Sequence, residues 1–444
     1  MRRLHRVVFA LAVGGVAGLA TFHGASVAAN AQSIPTPQPL APVPANSSMP
    51  LAFAGLTFTA AEASAVAKSP EVAVAQSRVD GASAALAAAR ATLGPTATAG
   101  YLLAPQGGTA NNTISQRLTS IGVQTTLGDL LLYSPLVAEA AAKLRAAQAD
   151  AAVAANTERV KTVGLYFDAL KAQAVYDARL GALRLATEQR DAAQTRFNAG
   201  AAPRLDIVRA DVAVAKAQAA GDLAQALALN ATEALRIETD SSQAALTQTV
   251  AGTLPSAAGG NLDPATAIAR AKARRPELIA AAQNIAAARA ATSKARRSIF
   301  PAATIGAGYS KGVDGGVSVG GPTINLQLSL PLNGAAHDRV AEQRALYAQS
   351  QAQAAATERK IVVAVGDAAR SLDAAIRATG ASTEARRQAL AELRATELGY
   401  RNGASSSLEV TSARETYTQA VVDQLTALYD EAKAQATLDI EVGS

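Results

Sequence analysis

The chain has 444 residues, a formal net charge of +6, three histidines and no cysteine. Without thiols, a disulfide framework, thiolate metal sites and a cysteine nucleophile are excluded. Because the sequence also lacks a metal-ligand cluster and a dinucleotide fingerprint, we expect no enzyme activity and no cofactor.

The first residues have the parts of an export signal. Arg2, Arg3 and Arg6 form a basic start, an apolar stretch follows, and Ala29-Asn30-Ala31 fits a cleavage site, which predicts a signal peptide over 1–31. The alternative is an N-terminal anchor helix. Cleavage would remove three arginines and no acid, lowering the charge from +6 to +3. The basic balance therefore gives no support for nucleic-acid binding.

The mature chain is predicted to begin with a flexible segment over 32–55, because these residues are rich in proline, alanine and serine and lack periodicity. A helix is predicted from Ala60 to Leu93. Thr59 is its possible N-cap, with Glu62 three residues later in a capping-box pattern.

A β-hairpin is predicted over about 96–128. Its first strand includes Tyr101, and its second alternates apolar Ile121 and Val123 with polar or small residues, which is the period of a strand. A glycine-rich and asparagine-rich loop containing Gly107-Gly108 separates the two strands.

Two proline-free windows predict helices of unusual length. They run from Leu136 to Ala199 and from His337 to Tyr400, and are dense in good helix formers. A helix of that length spans roughly 95 Å, so each needs lateral partners, as in coiled coils. Shorter helices are predicted after the glycine breaks, from Leu205 to Ile237 and from Leu408 to Ile440.

The second half begins after a linker predicted over 239–261. Asp263-Pro264 indicates an N-cap with proline at the first helical position, and the helix is predicted to run to about Phe300. A second hairpin is predicted over about 303–331. In it, a turn-rich stretch from Lys311 to Gly321 precedes a strand in which Ile324, Leu326, Leu328 and Leu330 alternate with polar residues.

The two halves are copies of each other. Lys68-Ser69-Pro70-Glu71 aligns with Arg274-Arg275-Pro276-Glu277, and Thr157-Glu158-Arg159 recurs as Thr357-Glu358-Arg359. We therefore predict a first repeat over 56–238 and a second over 262–444. Each copy is far longer than a solenoid repeat, which indicates an internally duplicated fold.

Each predicted strand has the length that crosses a bilayer when tilted. Two hairpins supply four strands, which are too few to close a barrel, and lipid tolerates no open sheet edge. If the hairpins enter lipid, several chains must share the barrel. The alternative is a small soluble sheet that caps a helical bundle.

This pattern resembles the TolC-type outer-membrane efflux proteins. The residues that carry the resemblance are Pro95 and Pro301 with the following Gly100-Tyr101 and Gly308-Tyr309, the turn Leu328–Gly334 with Pro331, the helical segment Gly164–Leu170, and the turns Arg196–Gly200 and Gly399–Gly403. The resemblance implies a mainly α fold with a small membrane β part. In a homotrimer, long helical hairpins would form an α-barrel and four strands per chain would complete a twelve-stranded β-barrel.

The resemblance also implies a gate and a docking surface at the periplasmic tip. The turn residues Asn198, Gly200, Asn402 and Gly403 match the surface that meets an adaptor protein. Tyr400 matches the tip tyrosine, and Glu409 matches an acidic constriction that threefold symmetry would make a ring of carboxylates. Asp206 is its counterpart in the first repeat. An alternative role for both acids is ordinary stabilisation of a helix N-terminus.

The chain departs from the family pattern at two gate positions. Ser412 stands at the second acidic position and Ser405 at the position of the gate-locking arginine. Arg204 lies nearby in the first repeat and is a hypothetical partner for Glu409. These departures put an identical salt-bridge latch in doubt.

The function that the resemblance implies is an exit duct in the outer membrane of a Gram-negative bacterium, with its helical part in the periplasm. It would serve a tripartite efflux or type I secretion system and bind a periplasmic adaptor and an inner-membrane pump or ABC transporter. The main alternative is a periplasmic coiled-coil scaffold without a pore.

Overall fold

The computed structural model describes most of the chain after residue 50, namely 51–53, 55–92, 94–106, 114–200, 202–242, 246, 249–251, 263–314, 317–329 and 334–443. The predicted signal peptide, most of the predicted flexible N-terminus and much of the predicted linker lie outside the described residues. Pro331 and the loop glycines Gly107, Gly108, Gly315 and Gly316 also lie outside them.

The helices follow each other in the same order in both halves. They are α1 (Phe58–Lys68), α2 (Pro70–Ala91), α3 (Leu127–Asn198), α4 (Arg204–Thr239), α5 (Pro264–Arg274), α6 (Pro276–Arg297), α7 (Ala335–Arg401) and α8 (Ser407–Val442). The matching pairs α1 and α5 have 11 residues each, α2 and α6 have 22, and α4 and α8 have 36. The duplication read from the sequence is therefore present in the structure.

The first helix of each half is broken where the sequence predicted one continuous helix. Ser69 ends α1 and caps α2, and Arg275 stands at the same point between α5 and α6. The physical cause is the following proline, which disfavours the helical conformation of the preceding residue but suits the first position of a new helix. The predicted cap Thr59 was also wrong, because the side chain of Thr57 caps α1. The predicted cap Asp263 is confirmed.

The strands are β1 (Leu51–Phe53), β2 (Thr96–Gln106), β3 (Ile114–Thr126), β4 (Thr249–Ala251), β5 (Ala302–Asp314) and β6 (Val317–Ser329). The predicted turn-rich stretch from Lys311 to Gly321 was wrong, because β5 continues to Asp314 and β6 already begins at Val317. One glycine of this stretch instead allows a close backbone contact within the sheet. A Cβ on Gly320 would lie 3.2 Å from the Ser310 carbonyl oxygen.

The four long strands form one antiparallel sheet in the order β2-β3-β5-β6, so β2 and β6 are its edges. Strand alternation gives this sheet two different faces. The exposed apolar side chains on one face are Tyr101, Ile121, Val123, Ile305, Tyr309, Ile324, Leu326 and Leu328. The other face carries mainly small and polar residues, with Leu118 as an exposed apolar exception. The polar residues there include Thr98, Ser120, Gln124, Thr304, Asn325 and Gln327.

A second, small sheet pairs β1 with β4 and was not predicted. It joins the end of the predicted flexible segment to the predicted linker. Phe53 anchors it, because its ring packs edge-on against Tyr166 at a centroid distance of 5.6 Å. The Tyr166 hydroxyl donates to the Leu56 carbonyl oxygen over 3.2 Å, and burial raises the pKa of Tyr166 to about 12. An aromatic cluster thus fixes the segment that leads from β1 into α1 to α3.

The long helices have the lateral partners that their length requires. α3 packs against α4, α6, α2 and α8, and α7 packs against α8 and α6. Buried residues of α5, α7 and α8 form a second apolar cluster that includes Val365 and Leu438. Within the described helices, none is both long enough and apolar enough to cross a membrane.

The contact between β3 and β5 gives a stability prediction. A Cβ on Gly308 would lie 2.7 Å from the backbone oxygen of Ile121, whereas one on Gly321 would meet nothing within 4 Å. We expect Gly308→Val to lower the free energy of unfolding by about 1–3 kcal/mol, as overpacking does, and Gly321→Val to cost much less. Thermal unfolding of the purified protein, followed by circular dichroism, compares the two. Equal stability of both variants would contradict the close approach.

Candidate functional site

Two tight turns join the long helices at their far ends. Between α3 and α4, Gly200 has φ +72°, and between α7 and α8, Gly403 has φ +74°. Only glycine adopts this left-handed region without a steric cost, which explains its place in both turns. Asn198 is the last residue of α3, and Asn402 ends α7 with its N–H donating to the Leu398 carbonyl oxygen.

Glu409 forms a capping box at the start of α8. Its carboxylate accepts from the Ser406 N–H over 2.7 Å, and its own N–H donates to the Ser406 hydroxyl over 3.3 Å. The negative charge also stabilises the positive end of the helix dipole. Glu409 therefore has the N-terminal helix role that the sequence left open, and it remains exposed.

Asp206 connects the two turns. Its carboxylate accepts a hydrogen bond of 2.6 Å from the Ser407 hydroxyl, which binds the start of α4 to the start of α8. Arg209 lies 3.8 Å away on the same helix. Arg204 is exposed at the first residue of α4. In the part of the chain that the structure describes, no ion pair joins Arg204 to Glu409.

Tyr400 lies under a guanidinium group. The Arg196 Cζ atom is 4.4 Å from the centroid of the tyrosine ring, in a cation–π contact that joins α7 to α3. Ser405 packs against Gly399, where any Cβ would collide with the serine hydroxyl. The close approach of the two backbones at this point therefore requires a glycine at 399 and a small side chain at 405. Ser412 is exposed on α8.

Arg414 is a tip residue that the sequence analysis missed. Its guanidinium donates to Glu397 on α7 over 2.7 Å, and to the Leu185 carbonyl and Gln189 Oε1 on α3 over 3.1 and 3.2 Å. One side chain of α8 therefore holds three helices together. The available signal was the comparison of the repeats, because Asp211 stands at the matching place in the first repeat.

A cavity of 740 Å³ lies above the tip between the two helix pairs. Eight of its 19 lining residues are alanines, and it carries charges of both signs from Arg179, Lys216, Glu415 and Asp423. Farther along the helices, Lys171 bridges Asp168 and Asp430, and Lys433 binds Asp168 over 2.8 Å. Burial opposes ionisation of Asp168, but its hydrogen bond from Lys433 and the two lysine charges hold its pKa below the ordinary value.

The prolines near the strands fulfil a common role. Pro95 directly precedes β2 and Pro301 directly precedes β5, so each stands where the chain leaves a helix and starts a strand. Proline lacks an N–H and suits the first residue of a strand.

Comparison with known proteins identifies the second half of the chain. Residues 267–444 match the family model described as outer membrane efflux protein. The matched residues lie within the second repeat and make up less than half of the chain. The family resemblance drawn from the sequence is thereby confirmed. A comparison with curated protein sequences gives no significant match.

Solved structures of outer-membrane channels share the fold. The outer membrane protein VceC of Vibrio cholerae has a TM-score of 0.75 at 17% identity, with 87% of this chain and 96% of VceC covered. MtrE of Neisseria gonorrhoeae, an outer membrane channel in its open state, has a TM-score of 0.67 at 18% identity, with 89% and 90% covered. A membrane protein from Pseudomonas aeruginosa has a TM-score of 0.77 at 18% identity, with 87% and 90% covered. The predicted fold class, long helices with a four-stranded antiparallel sheet, is confirmed.

The Arg414 contacts give a prediction for the tip. We expect Arg414→Ala to separate α8 from α3 and to raise ion conductance across planar bilayers, because charge-assisted hydrogen bonds worth roughly 1.5–3 kcal/mol each are lost. Arg414→Lys should raise the conductance nearly as much, because one ammonium group cannot contact partners on three helices as the guanidinium does. Arg394→Ala, an exposed arginine of α7, is the control. Unchanged conductance in Arg414→Ala would show that these contacts do not hold the tip closed.

Proposed function

We propose that the protein is an outer-membrane exit duct of a tripartite efflux or type I secretion system. The observation that carries the proposal is the two-faced sheet continuous with long helix pairs. Its exposed apolar face suits lipid, and its opposite face of threonine, serine, glutamine and glycine suits water. The family of the second repeat supports the outer membrane as the location.

We propose that the working unit is a homotrimer, with a twelve-stranded barrel in the lipid and an α-barrel in the periplasm. The edge strands β2 and β6 support this, because lipid offers no hydrogen bonds to an open edge. α4 supports it as well. The residues at least half exposed along one stripe of this helix are Leu205, Val208, Val212, Leu223, Leu227 and Ile237. Neighbouring copies of the chain would cover both features.

The proposed organisation has an export signal over 1–31, repeats over 56–238 and 262–444, and the linker 239–261 between them. Each repeat would supply one hairpin to the membrane and one long helix pair to the periplasm. At the tip, threefold symmetry would place three copies of Glu409 around the axis, with Asp206, Arg204, Tyr400, Ser405 and Ser412 around them as the gate region.

The proposed partners are a periplasmic adaptor and an inner-membrane pump or ABC transporter. The tip turns at Asn198, Gly200, Asn402 and Gly403 are exposed, and the cavity with mixed charges lies directly above them. An adaptor bound there would contact both helix pairs. Its binding energy could then break the contacts of Arg414, Asp206 and Tyr400 that hold the pairs together.

The duct proposal has a direct genetic test. In a strain with no other exit duct, deletion of the gene should raise sensitivity to exported compounds or stop secretion of a substrate protein. The same loss should follow when the protein carries a deletion of the hairpin strand β6. Normal resistance and normal secretion in the deletion strain would rule out the transport role.

Glu409 has its own prediction. Glu409→Ala should weaken block by divalent cations in single-channel recordings, because a ring of three carboxylates would be lost. Glu415→Ala on the same helix is the matched control, since it removes one exposed acid farther from the turn. Identical cation block in wild type and Glu409→Ala would reduce Glu409 to its capping role.

A further inference from the structure

The break between α1 and α2 has a counterpart between α5 and α6, but the residues at the two breaks differ in charge. Ser69 stands at the first break and Arg275 at the second, each followed by proline and a glutamate. Both breaks contact the long helices of their own repeat. The carboxylates around them correspond too: Glu71 to Glu277, Glu158 to Glu358 and Glu238 to Glu441.

In the first repeat, one hydroxyl meets two carboxylates. Ser69 Oγ lies 2.9 Å from Glu158 Oε2 and 3.0 Å from Glu71 Oε2. A serine hydroxyl has one hydrogen to donate. The hydroxyl therefore satisfies only one of these two oxygens at a time. Glu71 is exposed to water whereas Glu158 is 4% exposed, so a proton that neutralises one carboxylate belongs on Glu158.

The other oxygen of Glu158 leads to the same assignment. Glu158 Oε1 is buried and, in the described part of the chain, has no hydrogen-bond partner as an ionised group. Lys161 lies 3.6 Å from it but binds Glu238 more closely, over 2.6 Å. A proton on Glu158 satisfies this oxygen, because the carboxyl group then donates to the neighbouring Glu238.

A proton on Glu158 lowers the excess of negative charge around it. α2 contributes Glu71, α4 contributes Glu238, and α3 contributes Lys161 as the one cation paired with the cluster in the described residues. Lys68 of α1 is paired with Asp240 after α4. Arg159 acts on Glu62 of α1. Three carboxylates therefore share one ammonium group around a buried site.

At the matching junction of the second repeat, a permanent cation offsets the negative charge of the carboxylates. The Arg275 side chain is 8% exposed, binds Glu277 over 2.7 Å and also pairs with Glu441. Glu358, the counterpart of Glu158, is half exposed and binds Lys272 over 2.7 Å. An arginine supplies a permanent positive charge, so the carboxylates of this junction need no proton to offset them.

We propose that the junction of the first repeat is a proton-binding site, in which Glu158 Oε1 carries one proton toward Glu238 while Glu158 Oε2 accepts from Ser69. It is the counterpart of the junction where the second repeat has Arg275. The proton comes from solvent and returns to it, and no other bond changes. The site joins α2, α3 and α4, so its protonation sets how firmly the first repeat holds its helix pair. This inference does not depend on the duct role.

The titration has a definite sign. Burial and the hydrogen bond to Glu238 raise the pKa of Glu158, and that hydrogen bond lowers the pKa of Glu238. The folded chain thus binds more protons at Glu158 than the unfolded chain does. Stability from this residue is full below its ordinary pKa and falls as pH rises through its raised folded pKa. Glu238 has the opposite sign and loses its contribution as pH falls through its lowered pKa.

The test is the pH profile of thermal unfolding between about pH 5 and pH 9, the range in which a raised glutamate pKa is felt. The unfolding temperature of the wild type should fall with rising pH. Glu158→Gln should remove that fall, because an amide keeps a donor and an acceptor without titrating. Ser69→Arg should also remove it by supplying the cation of the second repeat. Glu358→Gln is the matched control and should keep the wild-type profile.

Infrared spectroscopy detects the proton on the carboxyl group of Glu158 directly. The measurement on the wild type does not depend on whether a variant folds. At a pH just above the titration of the exposed carboxyl groups, the wild type should show the C=O stretch of a protonated carboxylic acid that disappears as the pH rises further, and Glu158→Gln should lack it. A wild type without this band, or a Glu158→Gln profile that falls with pH like that of the wild type, would overturn the proposal. If Glu158→Gln does not fold, the wild-type band and the Ser69→Arg profile decide the question.

Discussion

An antiparallel sheet of four strands leaves a row of backbone groups at each edge, and the rest of this structure depends on how those rows are satisfied. In lipid, each unpaired N–H or C=O costs several kcal/mol, while one face of the sheet is apolar enough to prefer lipid. A single chain cannot place its apolar face in lipid and also pair the backbone groups at both edges of its sheet. Neighbouring copies can, because β2 of one chain and β6 of the next are both available. The exposed stripe of α4 has the same need for a partner.

The duplication gives the molecule near-equivalent arms, and the differences between the arms are where function concentrates. Arg414 joins α7 and α8 of the second repeat to α3 of the first, and an acid, Asp211, stands at the matching position of the first repeat. At the junction of the second repeat, Arg275 offsets the carboxylates with a permanent positive charge. At the junction of the first repeat, Ser69 has no charge, and the proposed proton on Glu158 takes that role. Near-symmetry gives the two repeats the same order of helices, and in the proposed trimer these polar differences would allow the repeats to respond differently to an adaptor or to pH.

The sequence was sufficient for the architecture because its signals are local. Proline-free alanine-rich windows predicted α3 and α7, alternation predicted β3 and β6, and Gly200 and Gly403 have the positive φ expected of them. It misjudged the glycines before Gly321, because a close backbone approach within a sheet is not visible locally. It missed Arg414 and the Asp206–Ser407 bond because these join residues about 200 positions apart, and their meeting depends on helix packing. The two helix breaks were visible as Ser69-Pro70 and Arg275-Pro276, but good helix formers on both sides concealed them.

The shared barrel is tested most directly by cross-linking its edges. The natural chain has no cysteine, so any disulfide comes from the introduced residues. A series of variants, each with one cysteine on β2 and one on β6, therefore tests which positions of neighbouring chains meet. On oxidation of outer membranes, the account predicts covalent dimers and trimers at the pairs in register, with the trimer as the largest species. Chains carrying only one of the two cysteines should cross-link only when both types are co-expressed. Monomers at every position tested, or a ladder that continues beyond three chains, would contradict a closed trimeric barrel.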